Sequence, residues 1–429
     1  MSQVPSVDEA SRCMKCGFCM SSCPIYTVDQ IESHVARGRN ALIRWASDNS
    51  IPVDSAYGER LSYCLLCGRC ESICPAKVPS AAITVAARTN LVSKRGLTWP
   101  QRFIYRGILR HRTLMARLLG LVAWVPGVSV KDGKPIRHLA DFASVFAGGL
   151  SIPKLSRPFL SARLPSRTNP PKGVPVRGKV AIFPGCAFEF FLADMGEEIA
   201  LVLADAGFEV IYPQGLTCCG LAVRSAGDIT TAQLMAQHNI EILSSFDHIV
   251  TGCATCGSAL KGYGKWFPNN DPWQSRASSL SAKVSDLSEF LVREGFQPQP
   301  IEPITVTYHD PCHLKWHQTI NDEPRRLLGS TEGLEYTEME GADACCGLGG
   351  AFGITHRDVS LAIQTTKMQS IIRTGVQIVV TSCPGCLIQL RDGARRHGLS
   401  FEVMHISQLI RGQRGQPHRL RSAGDGGER

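Results

Sequence analysis

The feature that most constrains this chain is a run of four cysteines in eleven residues, met twice. "CMKCGFCMSSCP" sets Cys13, Cys16, Cys19 and Cys23 in the spacing C-x-x-C-x-x-C-x-x-x-C-P, and "CLLCGRCESICP" repeats it at Cys64, Cys67, Cys70 and Cys74. A [4Fe–4S] cube needs four thiolates. Three closely spaced ones wrap one side of it and the fourth comes from elsewhere. Zinc takes four ligands, usually as two C-x-x-C pairs set well apart, which fits these runs poorly and leaves their duplication unexplained. In two-cluster ferredoxins the fourth cysteine of each run serves the other cluster. The expected sets are therefore Cys13, Cys16, Cys19 and Cys74 for one cluster, and Cys64, Cys67, Cys70 and Cys23 for the other. Pro24 and Pro75 are expected to turn the chain away after each fourth ligand.

The remaining ten cysteines follow a second rule, five to a copy. Cys186, the pair Cys218 and Cys219, and Cys253 with Cys256 recur as Cys312, the pair Cys345 and Cys346, and Cys383 with Cys386. The segments between them match in order. Strand-like "KVAIFPGC" and "ITVTYHDPC" open the copies, "TCCG" and "ACCG" follow, and "HIVTGCATCG" and "IVVTSCPGC" end them, each after a helical stretch. "VSDLSEFL" and "VMHISQLI" close the two copies. Alternating strands and helices of this length predict two α/β lobes with parallel sheets, their cysteines at strand ends, where such sheets bind ligands. Gly220 and Gly347 are expected to let the backbone approach a bound group. The ten cysteines admit further cluster ligands, a dithiol–disulfide centre, or packed free thiols.

Among 429 residues, 44% are hydrophobic and 19% charged, as in an ordinary soluble protein. With 18 cysteines, no basic n-region, no apolar h-region and no stretch long enough to span a bilayer, the chain reads as cytoplasmic and metal-binding rather than exported and disulfide-bonded. The net charge of +9 is uneven: no Asp or Glu lies between Glu71 and Asp132, while Lys94, Arg95, Arg102, Arg106, Arg110, Arg112 and Arg117 do. This run reads as a solvated helix face or as a surface for acidic lipid headgroups or an acidic partner. Nucleic acid is not expected as a partner, since no binding module accompanies the charge.

The expected fold is multidomain α+β. Residues 1–90 form a helical 4Fe–4S dicluster ferredoxin module, in which "VARGRNALIRWASD" is a helix with Val35, Leu42 and Trp45 a turn or two apart. Residues 91–178 form a basic amphipathic connector whose Phe103, Ile104, Ile108, Leu109, Leu114, Leu118 and Leu119 interleave with arginines. The Pro- and Gly-rich stretch 164–178 marks its boundary. Residues 179–300 and 301–411 are the two pseudo-symmetric lobes, and 412–429 a disordered tail. His313 and His317 share a helical face near Cys312, with His309 before it; a polar core role competes with ligation or proton transfer. His34, His356 and His405 read as ordinary. No dinucleotide fingerprint, Walker loop, nucleophile elbow or H-E-x-x-H is present, so no residue is singled out as catalytic and carbon chemistry is expected on another subunit.

Taken together, "CMKCGFCMSSCPIY", "RGRNALI", "CLLCGRCESICP", "TCCG", "YHDPCH" and "CCGLGGAFG" resemble the iron–sulfur subunit of glycolate oxidase. The layout is shared with lactate-utilisation iron–sulfur proteins, the anaerobic glycerol-3-phosphate dehydrogenase C subunit and heterodisulfide reductase subunits. The resemblance runs from Cys13 to about Ile410. It implies two [4Fe–4S] clusters, with one or two more in the lobes, and a FAD-containing partner that oxidises a 2-hydroxy acid such as glycolate or lactate. Electrons would pass through this chain to a membrane quinone, with the protein peripheral on the inner face of the cytoplasmic membrane. One departure matters. Glycolate oxidase subunits often have a degraded first lobe, whereas both lobes here keep all five cysteines, as heterodisulfide reductases do. A disulfide-reducing catalytic subunit is the alternative, and a structural iron–sulfur scaffold a third reading.

Overall fold

A computed structural model of the chain describes residues 7–122 and 153–412. The tail expected at 412–429, beyond its first residue, and residues 123–152 of the connector lie outside the described residues.

The two cysteine runs adopt the same backbone. Lys15 and Gly17 in the first, and Leu66 and Gly68 in the second, have φ of 58°, 86°, 53° and 79°. Each run then enters a short helix, Phe18–Ser22 or Arg69–Ser72. Left-handed residues in a tight turn swing successive N–H groups to one side and make an anion-binding concavity. For Lys15 and Leu66 that conformation is costly and persists only where the surroundings enforce it. Around these loops the helices Ala36–Ser47, Ser55–Ser62 and Ser80–Arg95 close a small core of Ala10, Ile43, Leu61 and Ile83. The Ala36–Ser47 helix buries only part of the expected series: Val35, just before it, is buried and Leu42 half-buried. Trp45 is exposed, and the inward face carries Ala36, Arg39, Asn40, Ile43 and Ala46. The reason is local: Arg39 faces the cysteines and Asn40 donates to Ser80, so the face that carries them turns inward and Trp45 lies away from it.

The lobes repeat one topology. In the first, β2 (Gly178–Ile182), β3 (Phe208–Ile211), β4 (Ile249–Thr251) and β5 (Val284–Asp286) are parallel in the order β3-β2-β4-β5. In the second, β6 (Ile304–Tyr308), β7 (Leu334–Tyr336), β8 (Ile378–Thr381) and β9 (Glu402–His405) follow β7-β6-β8-β9. Chain direction across the sheet reverses between β2 and β4, and between β6 and β8. A crevice therefore opens beyond their carboxyl ends, where Cys186 and Cys253, or Cys312 and Cys383, are placed. Strands β5 and β9 each lead into a helix fixed by a capping box, Asp286 with Glu289 and His405 with Gln408.

Two features of the connector differ from expectation. The stretch 164–178 contributes β1 (Arg167–Thr168), which pairs antiparallel with β3 and caps the edge of the first sheet. The amphipathic segment also divides its charge: Arg106 and Arg112 turn to the first lobe, while Arg102, Arg110 and Arg117 stay exposed. Arg106 bonds Asp228 at 2.8 Å, and Arg112 reaches Glu189 at 2.5 Å and the Leu216 carbonyl at 3.3 Å. Trp99, Phe103, Ile104 and Leu114 instead face outward. Buried acids of the first lobe draw these two arginines in beside buried Tyr105 and half-buried Leu109, and Trp99, Phe103 and Ile104 are left on the other face.

The modules pack as one body. Arg88, half-buried, donates to the carbonyls of Leu61 (2.7 Å), Cys64 (2.8 Å) and Ser225 (2.9 Å), tying the second cysteine run to the first lobe. His34 stacks on Tyr63 with centroids 3.6 Å apart, and Tyr63 meets His356 edge-on at 4.3 Å, joining the module to the second lobe. The lobes meet crevice to crevice. The Ala254 N–H donates to the Ser382 carbonyl at 3.1 Å, and Gln318 Nε2 to the Ala254 carbonyl at 2.9 Å.

Candidate metal centres

Cys23, Cys64, Cys67 and Cys70 line one cavity, with Pro24, Ile25, Leu65, Leu66 and Ala81 as its apolar wall. Burial pushes the thiols of Cys23, Cys67 and Cys70 up, so loading a metal here releases protons. One cation faces them. Arg39 is 3% exposed and its Nη1 donates to the His34 carbonyl, while Nε has no hydrogen-bond partner among the described residues. Burial alone would lower its pKa, but the neighbouring Cys64, Cys23, Cys70 and Cys67 raise it. Four thiols around an apolar hollow with one fixed positive charge suit an anionic iron–sulfur cluster better than a zinc ion, whose ligands would close directly on it.

The other set is less enclosed. Cys13 and Cys74 border the core of Ala10, Tyr57 and Val78, and Arg12 donates to the Ala76 carbonyl at 3.1 Å, holding the first run against the end of the second. Cys19 lies near both Cys13 and Cys23, and burial raises its thiol. Cys16 is exposed, beside Met14 and Phe18, which are 67% and 59% exposed.

The ten lobe cysteines are gathered further than sequence indicated. Within the first lobe, hydrogen-bonding contacts link Cys186 to Cys218, Cys218 to Cys219, Cys219 to Cys256, and Cys256 to Cys253. The second repeats this from Cys312 to Cys345, Cys346, Cys386 and Cys383, with Cys346 and Cys386 Sγ 3.6 Å apart. Cys253 meets Cys383 across the lobe boundary. Cys67 of the ferredoxin module is close enough to Cys312 and Cys345 for each pair to perturb the other. Nothing in the sequence repeat announces these crossings between modules.

In each lobe the second cysteine of the pair, Cys219 or Cys346, is held well below the usual thiol range by two neighbouring thiols that donate to it. Gly220 and Gly347 have φ of 81° and 93°, a left-handed turn that glycine adopts without strain. Their turn aims N–H groups at sulfur, the Gly347 N–H lying 3.4 Å from Cys345 Sγ. A Cβ at Gly347 would lie 2.8 Å from the Ser360 carbonyl, so the space is taken by the helix behind it.

The surroundings of the two sets are not alike. The second lobe places His309, Lys367 and His313 against its thiols. Lys367 is 2% exposed, donates to the carbonyls of Gly341 (2.6 Å) and Ala342 (3.3 Å), and is lowered to about 8 by burial. His313 Nδ1 is 3.5 Å from Cys312 Sγ and its ring stacks on His317 at 4.8 Å. His317 in turn bonds the Leu66 carbonyl at 3.0 Å, in the second ferredoxin run. The first lobe offers Asn239 and Tyr263, which bond the carbonyls of Cys218 and Cys219. A second hollow, lined by Leu109, Arg112, Met115, Phe190, Cys186 and Cys218, separates its first two cysteines from the connector.

Comparison with known proteins agrees with this geometry. The family described as "4Fe-4S dicluster domain" matches residues 9–78, and "Cysteine-rich domain" matches 180–261 and 306–391. The chain is 30% identical to the probable glycolate oxidase iron-sulfur subunit of Bacillus subtilis (strain 168), over 94% of this chain and 93% of that one. It is 28% identical to a fumarate reductase (CoM/CoB) subunit of Methanothermobacter marburgensis, over 93% of this chain and 71% of that one. Lactate utilization protein A 1 of Bacillus mycoides matches at 28%, over 56% of this chain and 98% of that one.

Proposed function

The chain belongs to the family of oxidoreductase iron–sulfur subunits that join a 4Fe–4S dicluster domain to two cysteine-rich domains, the glycolate oxidase iron–sulfur subunit among them, and from that footing we propose that it is the electron-transfer subunit of a flavin-dependent 2-hydroxy-acid dehydrogenase that delivers electrons to a membrane quinone. Iron–sulfur clusters held by Cys13, Cys16, Cys19 and Cys74, by Cys64, Cys67, Cys70 and Cys23, and by the five cysteines of each lobe would supply one-electron chemistry.

The observation that carries the reading is the unbroken succession of thiols. The exposed Cys16 marks one end, beside the apolar Met14 and Phe18, a surface suited to a partner subunit. The Cys23–Cys70 cavity adjoins Cys312 through Cys67, and the lobes adjoin through Cys383 and Cys253. The far end, Cys186 and Cys218, lies beneath the connector. The connector's outer face joins exposed Trp99, Phe103 and Ile104 to exposed Lys94, Arg95, Arg102 and Arg110, a combination suited to an anionic bilayer surface. No helix among the described residues is long and apolar enough to cross a membrane.

The test is reconstitution. Anaerobically purified chain, mixed with an FAD-containing 2-hydroxy-acid oxidase encoded beside it, is expected to reduce a soluble quinone analogue with glycolate or lactate, while neither protein does so alone. Quinone reduction by the flavin protein at the same rate without this chain sinks the proposal. The complete thiol sets and their contact at Cys253 and Cys383 favour one second reading, in which the reduced chain itself cleaves a heterodisulfide. That reading expects disulfide reduction with no flavin protein present.

A further inference from the structure

His309 follows the first strand of the second lobe, and it is placed with no ordinary reason to be there. It is fully buried, and among the described residues neither Nδ1 nor Nε2 has a well-aligned hydrogen-bond partner. A buried polar group left unsatisfied costs about 1–3 kcal/mol. The Ala342 carbonyl acts on the ring, but it already receives the Asp310 N–H at 3.0 Å and Lys367 at 3.3 Å. One ring nitrogen, Cys346 Sγ and Cys386 Sγ lie within 4.8 Å of one another. The backbone fixes the residue there: its N–H donates to the Val380 carbonyl at 2.8 Å, and its carbonyl accepts from Thr381 Oγ1 at 3.2 Å.

The repeat supplies an internal control. Three residues before the first cysteine, the second lobe has His309 and the first has Phe183, which is equally buried. An aromatic hydrocarbon therefore fills this position adequately where packing is the only demand. A neutral imidazole in this dry position keeps a ring nitrogen lone pair to offer.

We propose that His309 is a nitrogen ligand of the iron site formed by the second lobe's cysteines, making that centre mixed Cys/His while the first lobe's is all-cysteine. The inference rests on the reading that the lobes bind iron. Imidazole in place of thiolate at an iron raises the potential of an iron–sulfur centre, so His309 would help to set the two repeated sites apart in potential. Order along the thiol succession then follows from composition rather than from distance alone.

The experiment uses the full chain purified without air. Iron and acid-labile sulfide are measured first; content limited to about eight iron atoms, as two [4Fe–4S] clusters require, overturns both the inference and the reading beneath it. With iron present in the lobes, pulsed electron paramagnetic resonance is recorded on protein labelled with ¹⁵N-histidine and on unlabelled protein. A strongly coupled nitrogen that changes isotope with the label and is lost in His309→Phe is the expected result. A signal indifferent to the label, or a weak coupling that persists in His309→Phe, overturns the inference and leaves lobe iron standing. The labelled wild type needs no variant to fold. His309→Phe copies the first lobe, so its lobe-two centre is expected to move toward the potential of the first, with the ferredoxin potentials unchanged.

Discussion

Arg39 is the residue on which the second ferredoxin site turns. It is a full positive charge that pairs with no carboxylate among the described residues, held against four cysteines by helix packing and the His34 carbonyl. At an effective dielectric of about 20, a charge about 7 Å away is worth about 2.4 kcal/mol, or about 100 mV in a one-electron potential. Arg39→Met is therefore expected to lower the midpoint potential of that centre by roughly this amount, read by redox titration with electron paramagnetic resonance. An unchanged potential would show that solvent, not Arg39, sets the field. His405 carries a different consequence. Its Nδ1 accepts from the Ser407 N–H and its Nε2–H donates to the Gly252 carbonyl of the other lobe at 2.8 Å, so the fold needs it neutral. Burial holds it at about 4 against an ordinary 6.5. The unfolded chain thus takes the proton first as pH falls. The stability this residue contributes is whole above pH 6.5 and is lost on the way down to about pH 4, a difference of about 3 kcal/mol. His405→Asn, which keeps the helix cap, is expected to flatten the stability profile across that window in denaturant titrations. A profile as steep as wild type would place the acid sensitivity elsewhere.

At the scale of elements, the join between the ferredoxin module and the first lobe depends on a glycine. Gly227 has φ 97°, and a Cβ there would lie 2.6 Å from the Arg88 carbonyl, on the helix whose guanidinium also holds Cys64 in place. Overpacking of backbone on backbone costs about 1–3 kcal/mol and left-handed strain about 1–2 more. Gly227→Ala is expected to destabilise by at least about 2 kcal/mol in thermal unfolding, and a loss under half that would mean the modules are joined more loosely. The elements themselves are legible in the sequence. Strands and helices of both lobes fall where "KVAIFPGC", "ITVTYHDPC" and their partners put them, because short apolar runs and cysteine turns recur in step. The facing of elements is not. The Ala36–Ser47 helix turns Trp45 outward, and the connector turns Arg106 and Arg112 inward, because each answers to thiols or buried acids contributed by other segments. A periodicity count sees only the segment itself. His309 illustrates the same limit: along the chain its neighbour is Cys312, while its reach is to Cys346 and Cys386, brought close only by the sheet.

For the whole molecule, the asymmetry that matters lies in the connector. Trp99 at 76% exposure, stacked on Phe103 at 6.2 Å, shares the connector with exposed Arg102 and Arg110, and the same connector reaches Cys186 and Cys218 through Leu109, Arg112 and Met115. Sedimentation with vesicles containing anionic lipid is expected to bring the protein down, and less so as salt rises. Trp99→Ser with Phe103→Ser is expected to weaken that binding at least about tenfold, since burying one such side chain is worth about 2 kcal/mol and about 1.4 kcal/mol is tenfold. Failure of the wild type to bind such vesicles at low salt would remove the membrane from the account.

The meeting of Cys253 and Cys383 has a consequence for how the protein is made. Both thiols and their partners Cys256 and Cys386 are under a tenth exposed, walled in by the opposite lobe. An inorganic cargo cannot enter such a chamber once its two halves have shut. Under the proposed loading of the lobes with iron, maturation comes while the halves stand apart, and the closed shape is the seal on a vessel already filled.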